Sequence, residues 1–98
     1  MRVNWSDKAK TRLREIQRTI AKDAPERADA MVERLLDRVG NLGEHPHIGR
    51  QVPEYEQSDL REVLERPYRI IYQIGDERID ILTVKHYRQR LPTHLADL

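Results

Sequence analysis

Three runs of alternating side chains in the C-terminal third constrain the fold of this chain more than any other feature. The runs cover residues 59–65, 68–74 and 78–86, and each has the length and alternation typical of a strand. Pro67 separates the first two runs, which suits a turn or an edge position, and residues 75–77 (Gly-Asp-Glu) predict a hairpin between the last two. The sequence therefore predicts three successive, mostly antiparallel strands.

Alternation also assigns the side chains of these strands to faces of the sheet. In the strand 68–74, one face carries Tyr68, Ile70, Tyr72 and Ile74, and the other carries Arg69, Ile71 and Gln73. In the strand 78–86, we expect one face to carry Ile79, Ile81, Thr83 and Lys85, and the other to carry Leu82, Val84 and His86. Because this last strand is apolar on both faces, it should be covered on both sides.

Two amphipathic helices are predicted before these strands, after a short strand around Val3 and Trp5. Ser6 is the predicted N-cap of the first helix, whose apolar stripe consists of Ala9, Leu13, Ile16 and Ile20. Pro25 opens the second helix, and Gly43 is its predicted C-terminal cap. The stripe of the second helix is broader and consists of Ala28, Met31, Val32, Leu35, Leu36, Val39 and Leu42.

The element order β-α-α-β-β-β predicts an α+β fold, in which a two-helix antiparallel hairpin packs on one face of a small, mostly antiparallel sheet. At this length, residues 1–98 should form a single domain, with residues 43–58 as a long connection. Because two helices cover only one face, we expect the other face to expose apolar area and arginines, which marks a partner site. The tail 91–98 should add some apolar contact through Leu91, Leu95 and Leu98.

Composition excludes several classes of protein. Cysteine is absent, which rules out disulfides and thiolate metal sites. No apolar run approaches the roughly 20 residues of a membrane span, and the first residues lack an apolar signal segment. We therefore expect a cytoplasmic protein with no membrane partner.

The net charge of +1 hides an uneven distribution of charged groups. Residues 1–22 carry seven basic groups against two acidic ones, a net charge of +5, whereas residues 23–42 are net acidic and residues 85–98 are basic again. The basic first helix is either a solvated surface or a nucleic-acid patch. We favour the solvated surface, because nucleic-acid binders are usually more basic overall.

One set of residues could carry ribonuclease chemistry. If the predicted strands bring them together, the arginines could hold a scissile phosphate, and the imidazole or phenol could act as a general acid or base; the set is Arg61, Arg69, His86, Tyr87 and Arg88. The alternative is structural, with both strand arginines paired to Glu62, Glu65 or Asp80. Spacing alone favours the structural alternative.

A non-catalytic alternative is docking of the basic first helix and C-terminus on a protein or a protein–DNA complex. No phosphate-binding glycine loop, nucleophile arrangement or zinc spacing competes with these hypotheses, and no metal or cofactor is predicted. His45 and His47 are interpreted as polar residues of the loop, since further metal ligands are not evident nearby.

Several motifs together resemble the RelE/ParE superfamily of toxins from bacterial type II toxin–antitoxin systems. The resemblance covers the whole chain and rests on the Ala9…Leu13…Ile16 helix, the turn 45–49 (His-Pro-His-Ile-Gly), the segment 60–62 (Leu-Arg-Glu), the segment 68–72 (Tyr-Arg-Ile-Ile-Tyr) and the segment 81–86 (Ile-Leu-Thr-Val-Lys-His). It implies the fold deduced above and a small cognate antitoxin, ParD-like or of another type. It also implies that operator DNA is reached indirectly, through the antitoxin.

Two activities occur on this fold, and the resemblance favours one of them. The run Val84, His86, Arg88 followed by Arg90 looks more like the ParE branch, whose members poison DNA gyrase and block replication. The runner-up is a RelE- or YoeB-like ribosome-dependent mRNA endonuclease, in which case the set Arg61, Arg69, His86, Tyr87 and Arg88 would be catalytic and the ribosome and mRNA the partners. A third alternative is an inactive homologue that only binds antitoxin.

In the favoured hypothesis the protein is not an enzyme, and the residues expected to contact gyrase are Arg88 and Arg90. The residues expected to contact the antitoxin are apolar ones of the first helix and last strand, namely Leu13, Ile16, Ile20, Leu82 and Val84.

Overall fold

A five-stranded sheet organises the chain, as seen in a computed structural model that describes residues 1–56 and 59–98. The strands are β1 (Arg2–Trp5), β2 (Arg50–Gln51), β3 (Leu60–Glu65), β4 (Tyr68–Ile74) and β5 (Arg78–His86). Their order is β1-β5-β4-β3-β2; β1 runs parallel to β5, and every other pair is antiparallel. The α+β fold with a mostly antiparallel sheet is thus confirmed. The short strand β2 was not foreseen inside the connection 43–58, and the last two residues of that connection lie outside the described residues.

Two helices, α1 (Asp7–Ala21) and α2 (Pro25–Gly40), follow β1, as the sequence predicts. The Ser6 hydroxyl oxygen accepts a hydrogen bond from the Ala9 N–H at 3.0 Å and donates one to the Leu82 carbonyl at 3.0 Å, so the N-cap also ties α1 to β5. The prediction that Gly43 caps the second helix is wrong. Helix α2 ends at Gly40, and Gly43 closes a 3-10 turn that packs against the backbone of Met1.

A β-bulge in β5 corrects the predicted faces of this strand. Tyr72 pairs with Ile81 but Ile71 pairs with Thr83, so Leu82 is the extra residue. Beyond the bulge the alternation is inverted. Ile79 and Ile81 therefore share the helix-side face with Val84, not with Thr83, and pack in one cluster with Tyr68, Ile70 and Tyr72.

The main core lies between the helices and the sheet. It combines the stripes of α1 and α2 with the helix-side residues of β3, β4 and β5, as the alternation predicts for β4. Helix α1 also covers the edge of β5 beyond the end of β1, where Arg12 Nε donates to the Val84 carbonyl at 3.0 Å. The buried apolar area of this layer supplies the main driving force for folding.

The second face of the sheet is covered by the chain itself, which corrects the expectation of an exposed apolar face. Ile71 and Leu60 are buried there under Val52 and Tyr55 from the connection and Leu98 from the tail, with Leu82, Leu91 and Leu95 packed alongside. The Tyr55 hydroxyl donates to the Pro92 carbonyl at 2.7 Å and joins the two covering segments. The tail thus contributes the apolar contact predicted for it.

Among residues 1–56 and 59–98, no helix has both the length and the apolar content needed to cross a membrane.

Candidate functional site

A cleft of about 780 Å³ opens where the turn between β3 and β4 meets the end of β5. It lies partly on the second face of the sheet, next to the covering segment 52–55. Three of its lining residues are arginines, and most of the others are apolar or aromatic; the full set is Arg50, Pro53, Glu54, Leu64, Arg66, Pro67, Tyr68, Arg69 and Tyr87. Concave sites that combine apolar walls with a few polar groups are the usual places for ligands.

Arg69 is the centre of an ion-pair network in the floor of the cleft. Its guanidinium donates through Nη1 and Nη2 to both oxygens of Glu54 at 2.9 and 2.8 Å, and through Nε to Glu62 at 2.7 Å. Arg50 Nε donates to the second oxygen of Glu62 at 2.6 Å. The Arg69 and Glu62 side chains are 7% and 0% exposed, whereas that of Glu54 is 42% exposed. The network therefore joins a buried ion pair to a solvent-accessible carboxylate.

The hydrogen bonds between Arg69 and its carboxylate partners shift the pKa values of Glu54 and Arg69. The Arg69 hydrogen bonds lower the pKa of Glu54 below its ordinary value of 4.5, against an opposing effect of burial. Hydrogen bonds to Glu54, and then to Glu62, raise the pKa of Arg69, so this residue stays charged at all physiological pH values.

Two exposed side chains give the cleft an apolar and aromatic rim. Leu64 is 39% exposed and Tyr87 is 52% exposed. The Arg88 guanidinium lies 5.5 Å from the centre of the Tyr87 ring, and its Nε donates to the Tyr87 hydroxyl at 3.2 Å. Arg90 follows in the exposed segment after β5. The predicted gyrase-contacting arginines are thus solvent-accessible and close in sequence to the rim.

The set of residues predicted for nuclease chemistry does not converge. Arg61 and Arg69 point to opposite faces of the sheet, since Arg61 pairs with Tyr72 on the helix side and Arg69 pairs with Leu64 on the other. Arg61 donates to the Gly49 carbonyl at 2.8 Å. His86 lies on the helix side, where its ring contacts Tyr68 edge-on, and it stacks on Tyr87. Of that set, Arg69 and Tyr87 line the cleft, and Arg88 contacts it through Tyr87.

The structural alternative for Arg69 is therefore correct in its main element, the pair with Glu62, whereas Arg61 binds a backbone carbonyl instead of a carboxylate. Glu54, Arg50 and Arg66 were missed as cleft residues. Glu54 and Arg50 lie in the connection 43–58, where no regular alternation of apolar and polar residues indicates which way a side chain points. Chemically, the cleft presents apolar and aromatic surface together with the exposed Arg66, while carboxylates already occupy Arg50 and Arg69.

The predicted antitoxin contacts need a correction for two residues. Ile16 and Val84 are buried in the main core, so they offer no surface to a partner while the chain keeps this fold. Leu13, Ile20 and Leu82 are partly exposed, and they remain candidates for such a contact.

Replacing Glu54 by glutamine should remove a stabilising interaction that depends on pH. Because the pKa of Glu54 is lowered in the folded state, its contribution is complete above the ordinary value of 4.5 and is lost as the pH falls through the folded-state value. We expect wild-type protein to have a higher urea midpoint than Glu54→Gln at pH 7, and this difference should shrink as the pH is lowered below 4.5. A difference that does not change as the pH is lowered would mean that the charge of Glu54 plays no part.

Comparisons with known proteins agree with this architecture. Residues 3–91 match the family model described as the ParE toxin of the type II toxin–antitoxin system parDE. A Sinorhizobium fredii protein named Y4kP, described as a candidate toxin, is 39% identical over 92 residues, which is 93% of each chain.

Two solved structures are also similar to this chain. The chromosomal ParDE system of P. aeruginosa matches with a TM-score of 0.75 and 26% identity, covering 88% of this chain and 95% of that one. The RelBE2 toxin–antitoxin complex of Mycobacterium tuberculosis matches with a TM-score of 0.57 and 26% identity, covering 87% and 95%.

The fold and these similarities define the class, a toxin of the RelE/ParE superfamily from a type II toxin–antitoxin system. Within that superfamily, the chain belongs to the ParE toxin family.

Proposed function

We propose that this toxin acts on DNA gyrase, stalls its DNA-cleavage complexes and so blocks replication in the cytoplasm. Arg88 and Arg90 contact gyrase in this proposal. An exposed arginine beside an accessible aromatic ring, as in Arg88 and Tyr87, suits a protein interface, because arginine and tyrosine are among the residues enriched at binding hot spots.

The positions of Arg61 and Arg69 in the sheet favour gyrase over mRNA as the target. A ribonuclease of the kind considered above needs cations that converge on one phosphate. Here Arg61 and Arg69 lie on opposite faces, and both Glu54 and Glu62 already neutralise Arg69. The membership in the ParE family supports the same choice.

A small cognate antitoxin neutralises the toxin in this proposal. The similar structures come from a ParDE system and a RelBE2 toxin–antitoxin complex, which supports a partner of the same kind. Its contacts would include the partly exposed Leu13, Ile20 and Leu82, and it would link the toxin to operator DNA.

The test is inhibition of purified gyrase, measured as loss of DNA supercoiling and gain of stalled cleavage complexes. We expect wild-type toxin to inhibit gyrase. The variant Arg88→Gln/Arg90→Gln should need at least about tenfold more protein for the same inhibition, because it lacks two arginines of the interface. The matched control is Arg27→Gln/Arg34→Gln, which removes two exposed arginines from α2.

Three outcomes would count against the proposal. The gyrase target fails if wild-type toxin leaves gyrase unaffected while cleaving mRNA on translating ribosomes. It fails equally if the wild type does neither, as an inactive homologue would. If both double variants lose inhibition equally, the assignment to Arg88 and Arg90 is wrong and overall charge explains the effect.

A further inference from the structure

Four exposed cations form a stripe at intervals of four residues along helix α1 and its C-cap: Lys10, Arg14, Arg18 and Lys22. At a rise of about 1.5 Å per residue, the stripe is about 18 Å long. The stripe winds by about 120° around α1, and Arg14 and Arg18 in its middle lie on the side away from the core stripe. Within α1, Asp7 shares this face at its N-terminal end, and Glu15 is turned away to bind Arg12 at 2.7 Å.

The fold uses other cations of α1 but not these. Arg12 binds Glu15 and the Val84 carbonyl, and Lys8 Nζ donates to the Asp97 carbonyl at 3.4 Å. In contrast, the four stripe residues make no side-chain hydrogen bond or ion pair with the part of the chain that the structure describes. Like charges four residues apart on a helix destabilise it, so the stripe has a cost that folding does not explain, and this counts against the solvated surface that the sequence alone favours.

The composition of the stripe favours a polyanion over a protein as its partner. Protein interfaces have an apolar centre and are depleted in lysine, whereas arginine, the other residue of the stripe, contacts both proteins and phosphates. None of the large apolar side chains exposed in the described residues lies on α1, whereas Thr11 next to the stripe is the kind of hydroxyl that contacts phosphates. Duplex DNA carries one charge per about 1.7 Å of its axis, so an about 18 Å length of duplex has about ten phosphates, and those on one side are within reach of the stripe.

We propose that the exposed face of α1 binds the phosphate backbone of duplex DNA directly, through Lys10, Arg14, Arg18 and Lys22. The contact carries no sequence specificity, because it reaches phosphates and not base edges. The acidic face of α2 formed by Glu26, Asp29, Glu33 and Asp37 repels the duplex, so DNA lies along α1 and away from α2. The contact does not depend on which enzyme the toxin acts on, and it differs from operator binding through an antitoxin.

The test is fluorescence anisotropy of a labelled 20-base-pair duplex titrated with the full toxin at several salt concentrations. Four phosphate contacts predict a slope of log K against log[salt] of about −3.6. Arg14→Gln/Arg18→Gln should reduce the slope to about −1.8, whereas the control Arg27→Gln/Arg34→Gln, with the same change of charge on α2, should leave it unchanged.

The proposal is overturned if wild-type toxin does not bind the duplex at low salt, or if both double variants change the slope equally. Binding to phosphatidylserine vesicles without binding to the duplex would also overturn it. Circular dichroism confirms that each variant is folded, and supercoiling inhibition measured in parallel separates a failure of DNA binding from a failure of gyrase as the target.

Discussion

Replacing Glu62 by alanine is expected to lower the free energy of unfolding by about 3–5 kcal/mol, the usual cost of removing one partner from a buried ion pair. The Glu62 side chain is 0% exposed and binds both Arg69 and Arg50. Without it, Arg69 keeps only the contact with Glu54 at the surface of the cleft. Because a small protein is stable by only about 5–15 kcal/mol, the variant should be close to unfolding at 37 °C.

The measurement is urea denaturation at pH 7, with Glu54→Ala as the matched control. Both carboxylates bind the same guanidinium, but Glu54 is partly solvated, so its removal should cost about 1 kcal/mol or less. Equal losses for the two variants would show that burial does not set the strength of these pairs.

A second variant separates two contributions to the free energy of unfolding: the stabilisation by the Glu62–Arg69 pair and the cost of leaving one of its charges without a partner. In Glu62→Leu/Arg69→Leu both buried charges are gone, and apolar groups of similar size replace them. Such replacements are often neutral or stabilising. We therefore expect the double variant to regain most of the stability lost by Glu62→Ala. A double variant as unstable as Glu62→Ala would mean that the ion pair itself stabilises the native state.

The two helices and every strand except β2 could be predicted from the sequence because local rules govern them. Ser6 and Pro25 mark the starts of α1 and α2, and residues 75–77 mark the hairpin between β4 and β5. The alternation of β4 identified the core residues Tyr68, Ile70 and Tyr72. Each of these signals acts over a few residues, so it can be recognised without knowledge of the tertiary structure.

Features that depend on distant contacts could not be predicted in this way. The bulge at Leu82 inverts the faces of β5, and one extra residue leaves no mark in the sequence pattern. The cover of the second face joins Tyr55 to Pro92 across 37 residues. The bidentate pair between Glu54 and Arg69 joins a loop to a strand, so the cleft appears only when the sheet has formed.

Replacing Gly49 by alanine is expected to destabilise the protein by about 2–4 kcal/mol, through overpacking and the loss of a buried hydrogen bond. A Cβ atom there would lie 2.5 Å from the Glu62 carbonyl oxygen and 2.6 Å from the Tyr72 hydroxyl oxygen. One obstacle is backbone and the other a buried ring, so neither can move aside easily. The Gly49 N–H donates to that hydroxyl at 3.0 Å, and the same hydroxyl donates to the Pro46 carbonyl at 2.7 Å.

The matched control is Gly40→Ala at the end of α2, where the backbone is helical and an added Cβ meets no atom within 4 Å. This variant should be more stable than wild type by about 0.4–1 kcal/mol, because alanine restricts the unfolded chain. The two variants should thus shift the urea midpoint in opposite directions. A tolerated Gly49→Ala would mean that the turn 45–49 is not held against Tyr72. In the expected outcome the turn is rigid. Arg61 donates a hydrogen bond to the Gly49 carbonyl, and the next residue, Arg50, binds Glu62, so the turn holds the edge of the sheet on which the cleft is built.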